Sequence, residues 1–232
     1  MNIVSLGHRG ASAYAPENTL AAFYKAIETG ADGIELDLRR SKDGVIVVIH
    51  DETVDRTTNG SGAVADLTWD ELRELDAGAW FSPAYAGERI VSFEEFLHFS
   101  GRRDMQFAFE LKEDGLEADV CRAIQDWRLY GRATVTSFEF DRLRKVKAID
   151  PRVSVGYLLV NPIAETNIAD ILAIGGRQIC PMAEQVTAEA VKLAKSHGLY
   201  VRAWGLRDEA LMKHVLACGV DAFTINFPDK FG

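Results

Sequence analysis

Two strand-like runs carry charges where an apolar strand should carry none. Gly33-Ile34-Glu35-Leu36-Asp37-Leu38 places Glu35 and Asp37 two residues apart, and Phe107-Ala108-Phe109-Glu110-Leu111-Lys112 does the same for Glu110 and Lys112. Alternate residues of a strand share a face, so each pair points one way. Buried unpaired charges are costly, so such residues are paired or metal-bound. Three carboxylates suit a hard divalent cation, Mg²⁺ or Ca²⁺. Zinc suits them less, because no cysteine or closely spaced histidine pair joins them. Two histidines stand at the ends of other strand-like runs, His8 beside Arg9 and His50 after Ile49. With the carboxylates, a divalent ion, Arg9 and Lys112 leave a single positive charge, which a phosphodiester monoanion neutralises. Cleaving that diester takes one general base and one general acid, and His8 and His50 can supply them. The cation would polarise a non-bridging oxygen. Taken singly, a strand-end histidine is more often structural, and a carboxylate pair is as often a salt bridge as a ligand set. Convergence of all of them at one place is what argues for chemistry.

The elements that would bring them together follow a βα rhythm. Strand candidates fall at 3–6, 33–38, 45–49, 107–111, 134–138, 153–160, 178–181, 200–204 and 222–225. Helix candidates begin near Leu20 and end at Gly30, then recur at about 116–130, 139–149, 163–174, 187–198 and 208–218, the last opened by Asp208 and closed by Gly219. Residues 39–44 are too few for a parallel crossover of about a dozen residues. The strands at 33–38 and 45–49 must therefore form an antiparallel hairpin turning at Ser41-Lys42-Asp43-Gly44. A turn centred between Lys42 and Asp43 would set His50 opposite Glu35. Eight parallel strands remain, the arithmetic of a (β/α)8 TIM barrel, whose strand C-termini form the active site. Residues 51–105 break the rhythm. They are expected to be a small insertion subdomain after the second barrel strand, with short helices near 68–75 and 92–99, on a single domain spanning 1–232.

Composition narrows the partners. The 232 residues are 47 % apolar and 26 % charged, a globular balance. Acidic residues number 35 against 26 basic ones, a net charge of −9, so nucleic acid and anionic membrane are poor general partners. Cys121, Cys180 and Cys218 are widely spaced and odd in number, which suits a reducing compartment. No signal-peptide pattern opens the sequence and no run approaches the ~20 apolar residues of a membrane span. A cytoplasmic protein without stable membrane association is the expectation, and a homodimer is compatible with it. His98, His197 and His214 read as surface or packing residues, as Trp69, Trp80 and Trp127 read as packing. Asn59-Gly60-Ser61-Gly62 reads as turns. Trp204 ends a late strand and is a candidate for the pocket wall.

Gly7-His8-Arg9-Gly10, Pro16-Glu17-Asn18-Thr19, Gly33 to Asp37, His50-Asp51, Asp55-Arg56-Thr57-Thr58-Asn59-Gly60 and Glu110-Leu111-Lys112 together resemble the glycerophosphodiester phosphodiesterase family. So do Thr136-Ser137-Phe138, Gly198-Leu199-Tyr200-Val201 with Trp204, and Gly219-Val220-Asp221. The likeness runs in order along nearly the whole chain. It implies a (β/α)8 barrel that hydrolyses glycerophosphodiesters, small soluble substrates, to glycerol 3-phosphate and an alcohol with a divalent cation. By matching position, Glu35, Asp37 and Glu110 would hold the metal, His8 and His50 would be the acid/base pair, and Arg9 and Lys112 would contact phosphate. Two places depart from the family pattern. Gly205-Leu206-Arg207 follows Trp204 where the family tends to show Thr and, two further on, Asn. The last strand ends Ile225-Asn226 where Thr-Asp is usual. Both departures touch substrate preference and not reaction class. Residues 51–105, with Trp80, Phe81 and Tyr85, are expected to cover the alcohol half of the substrate. The rivals are a phospholipase D-like or C-like enzyme acting on lysolipids, for which those aromatics would form an apolar rim, and a non-catalytic phosphate-ester binding barrel. The last would be expected to lack one of the acid/base or metal residues, and none is missing.

Overall fold

The computed structural model describes residues 3–230. Its strands and helices run β1 (Val4–His8), α1 (Leu20–Glu28), β2 (Gly33–Arg40), β3 (Ile46–Val48), α2 (Trp69–Leu72), β4 (Val91–Ser92) and α3 (Phe93–Ser100). They continue β5 (Gln106–Leu111), α4 (Glu117–Asp126), β6 (Ala133–Ser137), α5 (Phe140–Ile149), β7 (Ser154–Leu159) and α6 (Glu165–Ala173). The last are β8 (Gln178–Pro181), α7 (Ala188–Ser196), β9 (Tyr200–Leu206), α8 (Glu209–Ala217) and β10 (Ala222–Ile225). Strands β1, β2, β5, β6, β7, β8, β9 and β10 pair in parallel in that order, and β10 returns to β1. The sheet therefore closes into the expected (β/α)8 barrel, with helices between its strands.

Alternation decides which side chains enter the barrel. On β2, Ile34, Leu36 and Leu38 join the apolar layer under the helices, while Glu35 and Asp37 take the other face. On β5, Phe107 and Phe109 stack at 5.9 Å and meet Phe96 of α3 edge-on, leaving Glu110 on the inner face. Parallel register then lines the charges up: His8 pairs with Glu35, Asp37 with Glu110, and Glu110 with Thr136. Helix ends follow the cap residues of the sequence. Asp208 caps α8 by accepting from the Leu211 amide at 2.8 Å, and Gly30 and Gly219 follow α1 and α8 with φ of +79° and +84°. Elsewhere the elements are shorter than the pattern suggested. Arg128, at φ +55°, lies just beyond α4, which stops at Asp126, and α2 is one capped turn.

The hairpin register corrects the sequence expectation by one residue. Leu38 faces Val48, Arg39 faces Val47 and Arg40 faces Ile46, so His50 does not lie opposite Glu35. The loop holds three residues rather than two: the Ser41 amide donates to Val45 O, the Gly44 amide donates to Ser41 O, and Gly44 sits at φ +93°. A type I turn followed by a left-handed glycine is the usual three-residue hairpin loop. His50 lies beyond the ladder, and the Arg39 Nε donates to its carbonyl at 2.9 Å.

The stretch from 51 to 105 divides by its packing. Val54, Val64, Leu72, Ala77 and Ile90 form a small apolar cluster with Val47 and Ile49 from the hairpin. Phe93, Phe96 and Leu97 of α3 belong instead to the main barrel cluster. The two-residue β4, invisible in the sequence, pairs antiparallel with β3 and leads directly into α3.

Candidate active site

The turn that ends β1 is built for a tight approach. Arg9 adopts φ +54° and Gly10 φ +86°, and a Cβ on Gly10 would lie 2.5 Å from the Ala22 backbone of α1. A left-handed arginine is uncommon. Here it turns the Arg9 amide onto Glu35 Oε2 at 3.1 Å and its Nε toward Asp37 Oδ2 at 3.2 Å. Asn18, also left-handed at φ +59°, donates from Nδ2 to Asp37 Oδ2 at 2.9 Å.

Glu35, Asp37 and Glu110 form a buried cluster in which one carboxylate oxygen of each lies within 4.8 Å of the others. Lys112 Nζ sits 2.8 Å from Glu110 Oε1 and 3.8 Å from Asp37 Oδ1. The three carboxylates do not share these cations equally. Burial, then the charges of Asp37 and Glu110, push Glu35 up to about 8. Burial and Asp37 likewise raise Glu110, against the pull of Lys112. Burial would raise Asp37 too, but Arg9, His50, Lys112 and the Asn18 amide together hold it below its ordinary range. Close packing of the three carboxyls thus disfavours full ionisation of Glu35 and Glu110, while Asp37 stays ionised. Beside Asp37, Asn18 Oδ1 is buried without a hydrogen-bond partner.

The two histidines are backed differently. His8 Nδ1 lies 2.7 Å from Asn226 Oδ1, and its Nε2 is 3.9 Å from Glu35 Oε2. His50 Nδ1 lies 2.7 Å from Asp51 Oδ1. An ionised carboxylate only accepts, so His50 donates from Nδ1 and presents Nε2 as its other face. Burial, reinforced by Arg9, lowers His8 to about 4. The same two influences lower His50, opposed by Asp37 and Asp51.

His8, Arg9, Glu35, His50 and Glu110 line one cavity of about 180 Å³ at the C-terminal end of the barrel. Phe138, Leu158, Trp204 and Gly205 line its other side, with Thr136, Arg202 and Thr224. Trp204 is fixed by its Nε1 donating to Leu159 O at 3.2 Å and by Phe138, edge-on at 5.1 Å. The sequence-derived candidates therefore converge, with two qualifications. Asp37 and Lys112 lie within the charge cluster but not on the cavity wall, and Trp80, Phe81 and Tyr85 do not line it. Those three aromatics pack on one another, with the Tyr85 hydroxyl donating to Tyr14 O at 2.8 Å.

Other residues around the site had no role assigned from sequence. Asn18, Glu17, Asp51 and Arg56 occupy loops, where periodicity is silent. Their one signal is membership of the motif-like stretches around Pro16 and His50. Arg202 is a lone buried charge on β9 that donates to Thr224 Oγ1 and, at 3.7 Å, toward Cys180 Sγ. The rule that singled out Glu35 would have found it. His98, His197 and His214 lie away from the cavity, against Trp127, Glu165 and the Val186 carbonyl.

Comparison with known proteins gives a consistent result. A sequence model of the glycerophosphoryl diester phosphodiesterase family matches residues 8–230. A glycerophosphodiester phosphodiesterase of Caldanaerobacter subterraneus subsp. tengcongensis is 37 % identical over 235 residues, covering 99 % of this chain and 96 % of that protein. One from Bacillus subtilis is 32 % identical, covering 99 % and 85 %. The crystal structure of an Agrobacterium tumefaciens glycerophosphodiester phosphodiesterase superposes with a TM-score of 0.89 at 30 % identity, covering 99 % of both chains. An Oleispira antarctica phosphodiesterase, solved in complex with the product sn-glycerol-3-phosphate, superposes with a TM-score of 0.89 at 29 % identity, covering 98 % and 94 %.

Proposed function

The chain belongs to the glycerophosphoryl diester phosphodiesterase family and is an enzyme, a phosphoric diester hydrolase; from this premise we propose that it hydrolyses small glycerophosphodiesters to glycerol 3-phosphate and an alcohol, with a divalent cation and the His8/His50 pair. The observation that carries the reading is the convergence of two histidines, an arginine and a buried carboxylate cluster on one small cavity.

The donor set fits a hard cation. It offers only oxygen, crowds three carboxyls that cannot all ionise readily without a cation, and has an unpartnered amide oxygen beside it in Asn18. Glu35, Asp37 and Glu110 would hold Mg²⁺ or Ca²⁺. When bound, such an ion supplies Lewis-acid stabilisation of the charge that builds on a non-bridging phosphoryl oxygen. Arg9 lines the cavity and orients the diester. Lys112 acts at one remove, holding Glu110 and Asp37 in place. Of the two histidines, one takes a proton from the attacking hydroxyl or water and the other gives one to the departing alcohol. Asn226 and Asp51 fix their rings, so that each presents its Nε2. Phe138, Leu158 and Trp204 form the wall against which an alcohol arm packs.

The cavity volume supports a small substrate, since an acyl chain would have to lie outside it. The aromatic rim that a lysolipid reading would draw from Trp80, Phe81 and Tyr85 is not on this cavity. The same reading takes the chain as one barrel with an insertion beginning near 51. It places the protein in the cytoplasm, in keeping with three free cysteines and with no described helix long and apolar enough to cross a membrane.

Product analysis tests the proposal. The enzyme is incubated with glycerophosphocholine, glycerophosphoethanolamine and a micellar lysolipid, with Mg²⁺ or Ca²⁺, and products are separated by chromatography. Glycerol 3-phosphate with free choline or ethanolamine is the expected outcome. Release of a phosphorylated alcohol, or turnover of the lysolipid alone, would overturn it.

A further inference from the structure

A run of charged side chains links His50 to Arg9, both on the charged side of the cavity, through a residue that touches neither the cavity nor the carboxylate cluster. Arg56 lies just past the hairpin, in the segment after His50. Its Nε and one terminal nitrogen grip Asp51, at 2.6 Å to Oδ2 and 3.0 Å to Oδ1. Its terminal nitrogens grip Glu17, at 2.9 Å to Oε2 and 2.8 Å to Oε1. Each carboxylate has a further partner on the site. Asp51 holds His50 Nδ1, and Glu17 accepts from Arg9 Nη1 at 2.7 Å. The chain of contacts therefore runs His50, Asp51, Arg56, Glu17, Arg9, Asp37.

We propose that Arg56 is a positioning residue for His50: its guanidinium clamps Asp51 to Glu17 and so holds the imidazole at a fixed distance from Arg9. The inference rests on the reading of His50 as one of the acid/base pair. Its physical basis is the geometry of the fork. Asp51 could swing away from His50 toward solvent, and both carboxylates are gripped through both oxygens, which removes that freedom. Planar bidentate pairs on two sides of one guanidinium cannot be reproduced by a lysine ammonium. The grip also sets charge. The Arg56 hydrogen bonds hold Asp51 well below the usual carboxylate range, and burial of Glu17 is outweighed by Arg56 and Arg9, which lower it too. Both remain acceptors, so the direction of each hydrogen bond is fixed. A clamp supplied by the segment after the hairpin also explains why that segment leaves the barrel mouth directly from His50. Its first turn returns a cation to the residue pair it has just left.

The Arg56 side chain is 45 % exposed, so a small cation can reach its place. The test is steady-state kinetics on Arg56→Ala, Arg56→Lys, His50→Ala and the Arg56→Ala/His50→Ala double variant, with metal affinity by calorimetry and with guanidinium chloride added at concentrations that leave the wild type unaffected. Loss of an outer partner typically costs about 10–100-fold, so kcat of Arg56→Ala should fall by that factor, with KM and metal affinity changing by less than about twofold. Guanidinium should restore part of that kcat, and Arg56→Lys should remain impaired. The double variant should be no slower than His50→Ala alone, because Arg56 acts only through that ring. Should Arg56→Ala fail to fold, Arg56→Lys carries the kcat and metal tests. A kcat within about twofold of wild type, or a loss that guanidinium leaves untouched and that lowers metal affinity in parallel, overturns the proposal. If His50→Ala itself turns over normally, the acid/base reading falls and this inference with it. If His50→Ala is inactive while Arg56→Ala is normal, this inference alone falls.

Discussion

The two walls of the cavity differ in origin and in how they are held. The charged wall, His8, Arg9, Glu35, His50 and Glu110, comes from β1, β2, the end of the hairpin and β5, all in the first half of the chain. It is held by ion pairs and by non-glycine residues in left-handed backbone. The mainly apolar wall, Phe138, Leu158, Trp204 and Gly205 around the buried Arg202, comes from the second half, and its Trp204 is held by one edge-to-face ring contact and one indole hydrogen bond. Charges whose partners must sit within about 3 Å need a rigid frame, whereas an apolar wall needs only shape. The proposed chemistry thus lies on the wall that tolerates little change, and substrate choice lies on the one that tolerates more. The two departures from the family pattern divide between the walls. Gly205, at φ +78°, is on the apolar wall, whereas Asn226 lies 2.7 Å from His8 Nδ1 and so touches the proposed acid/base pair, contrary to the expectation that both bear on substrate preference alone.

The largest effects should come from the charged wall. His8→Ala and His50→Ala should each lose about 10²–10⁴-fold in rate, non-additively when combined, while circular dichroism and metal binding stay normal. A near-normal rate in either would detach that histidine from the reaction.

A second test uses the raised Glu35 carboxyl of that wall. Without a cation, Glu35 is protonated up to about 8, raised by burial and by Asp37 and Glu110. Binding a cation requires the carboxylate, so it must expel a proton. Affinity measured by calorimetry should therefore rise with pH, by up to about tenfold per unit, and level off above about 8. The stability sign follows from the same shift. A carboxyl raised in the folded state favours folding most below its ordinary range and loses that contribution as pH rises toward about 8. The metal-free melting temperature should fall over that window, and added cation should recover most where the loss is greatest. Affinity independent of pH would show that Glu35 is already ionised.

The apolar wall should answer differently. Phe138→Ala and Trp204→Ala should change the ratio of kcat/KM between head groups by roughly tenfold or more, with metal affinity intact. A uniform fall across substrates would mean that these rings only support the barrel. The smallest effect is expected from the insertion. Tyr85→Phe loses its hydrogen bond to Tyr14 O and should cost about 1 kcal/mol of stability without altering head-group ratios. A changed ratio would return the insertion to the substrate site.

Much of the charged wall was legible because it sits on strands. Glu35, Asp37 and Glu110 break apolar alternation, and a broken alternation survives folding as an inward-facing charge. The barrel was legible for the same reason, through eight runs of the right length separated by helical spacing. His50 was reached with the wrong register. The turn chemistry of Gly44 adds a residue that no alternation reveals, and the destination held because the hairpin still ends at the barrel mouth. Glu17, Asn18, Asp51 and Arg56 were not assigned roles, since loop residues meet across 5 to 39 positions of sequence and nothing local encodes that. Tyr85 misled in the opposite sense: an aromatic beside turn residues looks exposed, yet its ring packs on Phe81 and its hydroxyl is taken by a backbone carbonyl.

The central claim is that the carboxylate cluster works as a metal centre for diester hydrolysis. Release of glycerol 3-phosphate from a glycerophosphodiester, measured after exhaustive chelation and again on back-titration with Mg²⁺ or Ca²⁺, tests it directly in the wild type and in Glu35→Gln. The account predicts no turnover in the chelated enzyme, full recovery in the wild type at saturating cation, and recovery in Glu35→Gln only at a cation concentration at least about tenfold higher. Undiminished turnover in the chelated wild type would contradict it.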